Sequence, residues 1–163
     1  MAKLNDVVFK EVKGGVLAAK GFKAAGLACG IKSEKGRKDI ALLVGDKRVV
    51  TAATFTQNKV KAASVLWDSR LLKACHTARA VVVNSGNANA CTGERGDRDT
   101  ETMASTVAAL LKCRPDEVYV SSTGIIGEFL PIDKVTTGIA RAHKALTGTR
   151  SAGERFADAI QTT

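Results

Sequence analysis

The sequence predicts a mixed α/β (α+β) fold: a β-rich N-terminal layer, then β-α-β-α-α, with helices packed on a sheet. Three observations carry this. Two β-branched runs, Ala80–Val83 and Val118–Val120, have the composition of buried strands, and each breaks into small polar and glycine residues. Three stretches in the second half show the apolar spacing of helices. The first half carries short apolar runs punctuated by glycine, the pattern of strands and turns. With 163 residues, 45% of them hydrophobic, the chain reads as one soluble domain, 1–163, with a core of its own. It has no unbroken apolar run long enough to span a membrane.

Residues 7–10 and 15–19 read as short strands around the turn Lys13-Gly14-Gly15. Gly21–Gly30, rich in glycine and alanine, suits close backbone packing or an extended segment near a site. Lys32–Lys38 reads as a solvated, charged loop. Asp39–Val44 and Arg48–Phe55 about Gly45-Asp46 read as a hairpin. Val60–Trp67 reads as a further strand, and Asp68–Ala74 as a short helix with Asp68 or Ser69 at its N-cap.

The second half alternates. The strand at 80–83 leads through Asn84–Ala90 to a helix from about Asp97 to Lys112, with Met103, Val107, Leu110 and Leu111 on one face and Pro115 marking the stop. The strand at 118–120 leads through Ser121-Ser122-Thr123-Gly124 to a helix opening at Pro131 and ended by Gly148. Ser151 and Glu154 are spaced as a capping box for a last helix, with Phe156 and Ile160 inward.

Charge is uneven. The net +9 is all in residues 1–80, which hold 16 basic and 6 acidic groups; residues 81–163 hold 9 and 10. A basic half suits anionic partners or substrates. A non-catalytic module gripping an anionic partner such as RNA is the alternative function. Nucleic acid is nevertheless not expected: the basic residues are scattered, aromatics are only 4%, and no recognition motif appears. The four cysteines, Cys29, Cys75, Cys91 and Cys113, stand far apart, without CxxC or paired histidine. That is neither a zinc pattern nor, without a secretory leader, a disulfide framework; they read as reduced, with no metal site and roles unassigned.

GxSxG, GxGxxG and GxxxxGK[ST] are all absent. His76 and His143 sit in no motif, and the acidic pairs Asp97/Asp99 and Asp116/Glu117 stand at element starts, where carboxylates usually cap. What remains is main-chain chemistry. Thr123-Gly124 at a strand end offers a hydroxyl and two amides with little obstruction, as an oxyanion hole for acyl transfer requires. No nucleophile for such a hole is evident in this chain.

Asn84–Gly93 (NSGNANACTG) and Ser122–Lys134 (STGIIGEFLPIDK) resemble signature segments of the ornithine acetyltransferase (glutamate N-acetyltransferase) family of arginine biosynthesis. So do Gly21–Lys32, Thr51–Asn58, and Ala159–Thr163 (AIQTT), which is similar to the start of that family's AI-x-TTDT motif, with Gln161 where methionine is usual.

The resemblance implies a precursor that cleaves itself before a threonine into an α and a β chain, assembled as α2β2. The N-terminal threonine of β is the nucleophile, activated by its own amine. It moves acetyl from N-acetylornithine to glutamate, and in some members from acetyl-CoA. No cofactor or metal is implied. The oxyanion hole falls on Thr123 and Gly124, and substrate contact on Thr162 and Thr163. The implied location is the cytoplasm, or the mitochondrion in a eukaryote, with no membrane partner. The chain stops inside the TTDT segment, so it is expected to be a truncated α region, catalytically inactive when isolated.

Overall fold

The computed structural model describes residues 12–162. Four strands form one sheet in sequence order: β1 (Phe22–Leu27), β2 (Ile40–Val50), β3 (Thr77–Asn87) and β4 (Val118–Ile125). β1–β2 and β2–β3 pair antiparallel; β3–β4 pair parallel. The parallel step needs a long crossover, and the helix α2 (Gly93–Leu111) supplies it. The other helices are α1 (Ala63–Ala74), α3 (Ile132–Lys144) and α4 (Arg150–Ala159). The mixed fold of strands followed by alternating helices is therefore as predicted.

The core has two layers. On one face of the sheet, Ile40, Leu42, Val82, Val118 and Val120 meet Met103 and Val107 of α2 and Val135 and Ile139 of α3. Each fully buried aliphatic side chain of this kind contributes about 1.5–3 kcal/mol. On the other face, Ala24, Ala41 and Val83 meet Phe156 and Ala159 of α4. Here α4 lies so close that a Cβ on Gly26 would strike the backbone of Arg155 and Phe156. Thus the small residues of Gly21–Gly30 serve helix-to-sheet packing, and helices cover both faces of the sheet.

Several expected boundaries shift. The strand expected at 7–10 lies outside the described residues, and 15–19 forms a short 3₁₀ turn, Gly15–Leu17, instead of a strand. No hairpin forms at Gly45-Asp46. β2 runs straight through, since Ile40–Val44 pair with β1 on one side and β3 on the other. A central strand buried on both faces has a continuous apolar run that, in sequence, equally suits half of a hairpin. The glycine-aspartate pair begins an irregularity: five steps along β2, from Val44 to Val49, match two along β3, from Ala80 to Ala78. Beyond Val50 the segment Thr51–Asn58 pairs as no strand.

The strand expected at Val60–Trp67 is instead the start of α1, which opens at Ala63 with Ala62 as N-cap, so neither Asp68 nor Ser69 caps it. Burial of Ala63, Ser64 and Leu71 and half-burial of Trp67 give one helical face, and that packing overrides the strand preference of Val65 and Trp67. α3 stops at Lys144 rather than Gly148, because Thr147 leaves the helix to exchange two backbone hydrogen bonds with Ala24. α4 opens at Arg150, with Thr149 at its N-cap. The expected capping box does not form, because Glu154 accepts from Arg150 Nε at 2.9 Å. Phe156 is buried as expected; Ile160 is 38% exposed.

Candidate functional site

The two Asn/Ser/Gly segments are not loops with idle amides. Both strands run on through them, and the segments pair with each other: Asn84 with Ser122, Ser85 with Thr123, Gly86 with Gly124. Gly124 has φ +135, and a Cβ there would land on the Gly86 carbonyl carbon and the Asn87 nitrogen. Gly86 has φ +98, and its Cβ would come within 2.9 Å of Lys32 Cγ. Two pieces of backbone thus meet at Gly124 with no room for a side chain between them, and the side chains of Ile31 and Lys32 close against Gly86.

Buried asparagines fix the end of this strand pair. Asn84 Nδ2 donates to the Asn87 carbonyl at 2.8 Å. Asn87 Oδ1 accepts from the Asn89 N–H at 2.8 Å, and its Nδ2 donates to the Glu128 carbonyl at 3.0 Å. Asn89 Nδ2 reaches Gly96 and Thr100 of α2. Amide side chains offer donor and acceptor together, so they can satisfy the backbone groups of an irregular segment away from water. The asparagine-rich run is therefore the scaffold of the strand end.

The next wall comes from the loop before β2. The Asp39 carboxylate, fully buried, accepts four backbone N–H groups: Cys29 at 2.6 Å on Oδ1, and Gly30, Ile31 and Lys32 at 3.0, 2.6 and 3.1 Å on Oδ2. Charge-assisted bonds of this kind are the stronger sort, and they wrap residues 29–32 around the start of β2. Ser33–Gly36 is the exposed charged loop expected within Lys32–Lys38, but Lys32 at its start is half-buried. Its Nζ donates to the Lys38 and Gln161 carbonyls. Burial, with the charge of Arg37, pulls the Lys32 ammonium below the ordinary lysine value. The Cys29 thiol is pushed up to about 12 by burial and by Asp39, so it stays protonated.

The stretch after α4 closes the arrangement. Ser85 Oγ donates to the Ala159 carbonyl at 2.7 Å, Lys32 holds the Gln161 carbonyl, and Lys38 pairs with Asp158 at 2.9 Å. These ties bring Thr162 to a cavity of about 580 Å³ whose wall also includes Gly86, Asn87 and Gly124. Lys32, Arg37 and Lys134 line it with Glu34 and Glu128, and exposed Ile125 and Phe129 form an apolar lip. Arg95 lies over the Phe129 ring, 4.3 Å from its centroid.

Of the residues singled out from sequence, Gly124 and Thr162 thus share one cavity. Thr123 adjoins Gly124 in β4 and is half-buried, but is not part of the cavity wall. Thr163 lies outside the described residues. Ser85 and Asn87 lie in the Asn84–Gly93 segment singled out above, whereas Lys32 and Asp39 were missed as builders of this cavity. For these two the one available signal was Asp39, a carboxylate set directly before an apolar run. Among the described residues, no three potential metal-binding side chains cluster.

The ArgJ family model matches residues 23–163. An arginine biosynthesis bifunctional protein of Bifidobacterium longum is 47% identical over 149 residues, 91% of this chain and 38% of its own length. A chloroplastic protein of the same description from Citrullus lanatus is 39% identical over 160 residues, 98% of this chain and 35% of its own length. The solved structure of ornithine acetyltransferase complexed with ornithine, from Mycobacterium tuberculosis, superposes with a TM-score of 0.87 at 45% identity, covering 92% of this chain and 80% of that one. The chain therefore spans under two-fifths of the length of the curated relatives it matches.

Proposed function

The chain belongs to the ArgJ family, and from that membership we propose that it is the N-terminal α part of an enzyme moving acetyl from N-acetylornithine to glutamate. The nucleophile is the N-terminal threonine of a separate β chain. Its Oγ attacks the acetyl carbonyl, ornithine leaves with the proton held by the α-amine, and the glutamate amine then takes the acetyl group. The α part supplies the Thr123 hydroxyl and the Gly124 amide to the developing oxyanion, and Thr162 and Thr163 to the substrate. Acetyl-CoA is a further acetyl donor, no bound cofactor takes part, and the assembly is α2β2 in the cytoplasm. The isolated 163 residues are inactive.

The single observation carrying this reading is the backbone meeting at Gly86 and Gly124 beside a cavity that Thr162 also lines. It is a place where main-chain groups are held rigid and no side chain intrudes, which suits oxyanion stabilisation. The apolar lip of Ile125 and Phe129 suits burial under a second chain. A chain filling 80% of a solved relative but under two-fifths of a full-length one fits a product cut in two.

The test is Thr123→Ala in the full-length protein. Turnover is expected to fall by about 10²–10³ with an unchanged melting temperature. A variant retaining most of its turnover removes Thr123 from the hole. Intact-mass measurement of the same preparation tests the split: two species, one beginning with threonine, are expected, and a single uncut species sinks the two-chain reading.

A further inference from the structure

We propose, with the transferase reading above as premise, that Ser85 is a positioning residue for the transfer: it sets the separation between the oxyanion donors on β4 and the substrate-contacting stretch after α4. Three walls of the cavity meet on this one residue. Its backbone N–H donates to the Asp39 carbonyl at 2.9 Å, and the Asp39 carboxylate in turn holds residues 29–32. Its register partner in the parallel ladder is Thr123, beside Gly124. Its Oγ donates to the carbonyl of Ala159, the last residue of α4, at 2.7 Å. Thr162, three residues further on, lines the cavity with Gly86 and Gly124.

Strand geometry puts these groups on one side of the sheet. Alternate residues of a strand share a face. Val83 packs on the α4 side with Phe156 and Ala159, so Ser85, two residues on, points there as well. Paired residues of neighbouring strands also share a face, which sends Thr123 to the same side. β3 is flanked by β2 and β4, so the Ser85 Cα has little freedom, and a hydroxyl one bond from Cβ has little more. Lys32 grips the Gln161 carbonyl from the 28–37 loop, but through a flexible four-carbon stem that can follow a displaced partner. Of the two ties, that of Ser85 fixes a distance.

Burial makes the tie hard to replace. The last four carbonyls of a helix have no partner within it, and Ala159 is fully buried, away from water. Ser85 is itself 0% exposed, which keeps its hydroxyl from substrate and makes it a positioning group rather than a catalytic residue. Without that hydroxyl the Ala159 carbonyl is left unpaired in the interior, a costly state, and the chain from Ile160 to Thr162 shifts to relieve it. The Gly86–Gly124 contact is untouched, because backbone alone makes it. Loss of the hydroxyl therefore weakens substrate binding more than it slows the chemical step.

The test is steady-state kinetics of the full-length protein. Ser85→Ala is expected to raise KM for both N-acetylornithine and glutamate by about tenfold, while kcat stays within about threefold. Ser85→Cys nearly keeps the volume, has only a weak donor, and is expected to do the same. Val83→Ala removes packing from the same layer and no polar group; it is expected to lower the melting temperature yet leave both KM values within about twofold. KM values that stay put in both Ser85 variants overturn the proposal. So does an equal KM rise in Val83→Ala, which would make the effect one of general loosening. A kcat loss as large as the KM rise would put Ser85 in the oxyanion hole and overturns the proposal too. Failure of both Ser85 variants to fold does likewise, by making the residue purely structural. Wild-type protein that transfers no acetyl sinks the transferase reading and this proposal with it, whereas an active wild type with unmoved KM in the variants sinks this proposal alone.

Discussion

Gly86 and Gly124 stand opposite each other in the parallel pairing of β3 with β4, and Gly124 has no space for a β-carbon. The contact is made by backbone on both sides, so it cannot relax by turning a side chain. Gly124→Ala must adopt φ near +135 and push into the Gly86–Asn87 peptide. Strain and overpacking together predict a loss of about 2–5 kcal/mol in urea denaturation. A loss below about 1 kcal/mol means the two strands separate freely there, and the rigid-hole argument fails with it.

Asp39→Asn keeps the volume of a fully buried side chain that accepts four N–H groups, but turns one acceptor into a donor facing donors. Stability is expected to fall by about 2–5 kcal/mol, since buried groups lose charge-assisted partners. Hydrogen exchange at residues 29–32 should quicken most. Unchanged exchange in that loop counts against Asp39 as its organiser.

Burial pushes the Asp68 carboxyl up to about 7, against 3.8 for the free group, despite the Val120 N–H that it accepts at 2.9 Å. An acid with a raised folded-state pKa holds its proton longer in the native state than in the unfolded one. Stability is therefore highest below about pH 4 as far as this group is concerned, and declines as pH rises from there through about 7. Asp68→Asn keeps an oxygen for Val120 and has no proton to lose, so its stability should decline less between pH 5 and pH 8. Parallel stability–pH curves for the two proteins contradict the assignment.

Lys32→Met removes the donor that joins the 28–38 loop to Gln161. The prediction is faster exchange for the amides of 160–162 and a raised KM for the full-length protein, with kcat much less affected and partial recovery in Lys32→Arg. A kcat effect alone would place Lys32 nearer the reacting atoms than its carbonyl partners suggest.

How far the sequence disclosed all this follows from where the information is held. Met103, Val107, Val135 and Ile139 recur at helical spacing, so α2 and α3 were legible, and Phe156 marked the buried side of α4. The strand seeds at 80–83 and 118–120 were legible as well. Their continuation to Asn87 and Ile125 was not, because Asn, Ser and Gly are poor strand formers, and only their mutual pairing makes a strand of them. Val60–Trp67 misled because Val65 and Trp67 favour strands, while the packing that makes α1 helical comes from β4 and α2, distant in sequence. At the cavity, Gly124 was legible as a glycine at a strand end, and Thr162 came from the family resemblance. Lys32 and Asp39 passed for loop charges, since four amides converging on one carboxylate leave no trace in local composition.

The side chains of α1 along β4 have a consequence for self-association. Trp67 Nε1 donates to the Val118 carbonyl at 3.0 Å and Asp68 Oδ1 accepts from the Val120 N–H, so α1 occupies hydrogen-bonding positions that a fifth strand would need. At the opposite margin Thr147 engages both backbone groups of Ala24. A sheet blunted on both margins offers poor templates to strands of other molecules. At high concentration this resists edge-to-edge polymerisation, and Trp67→Ala, which frees the Val118 carbonyl on the β4 margin without changing the net charge, is expected to favour fibrous aggregation.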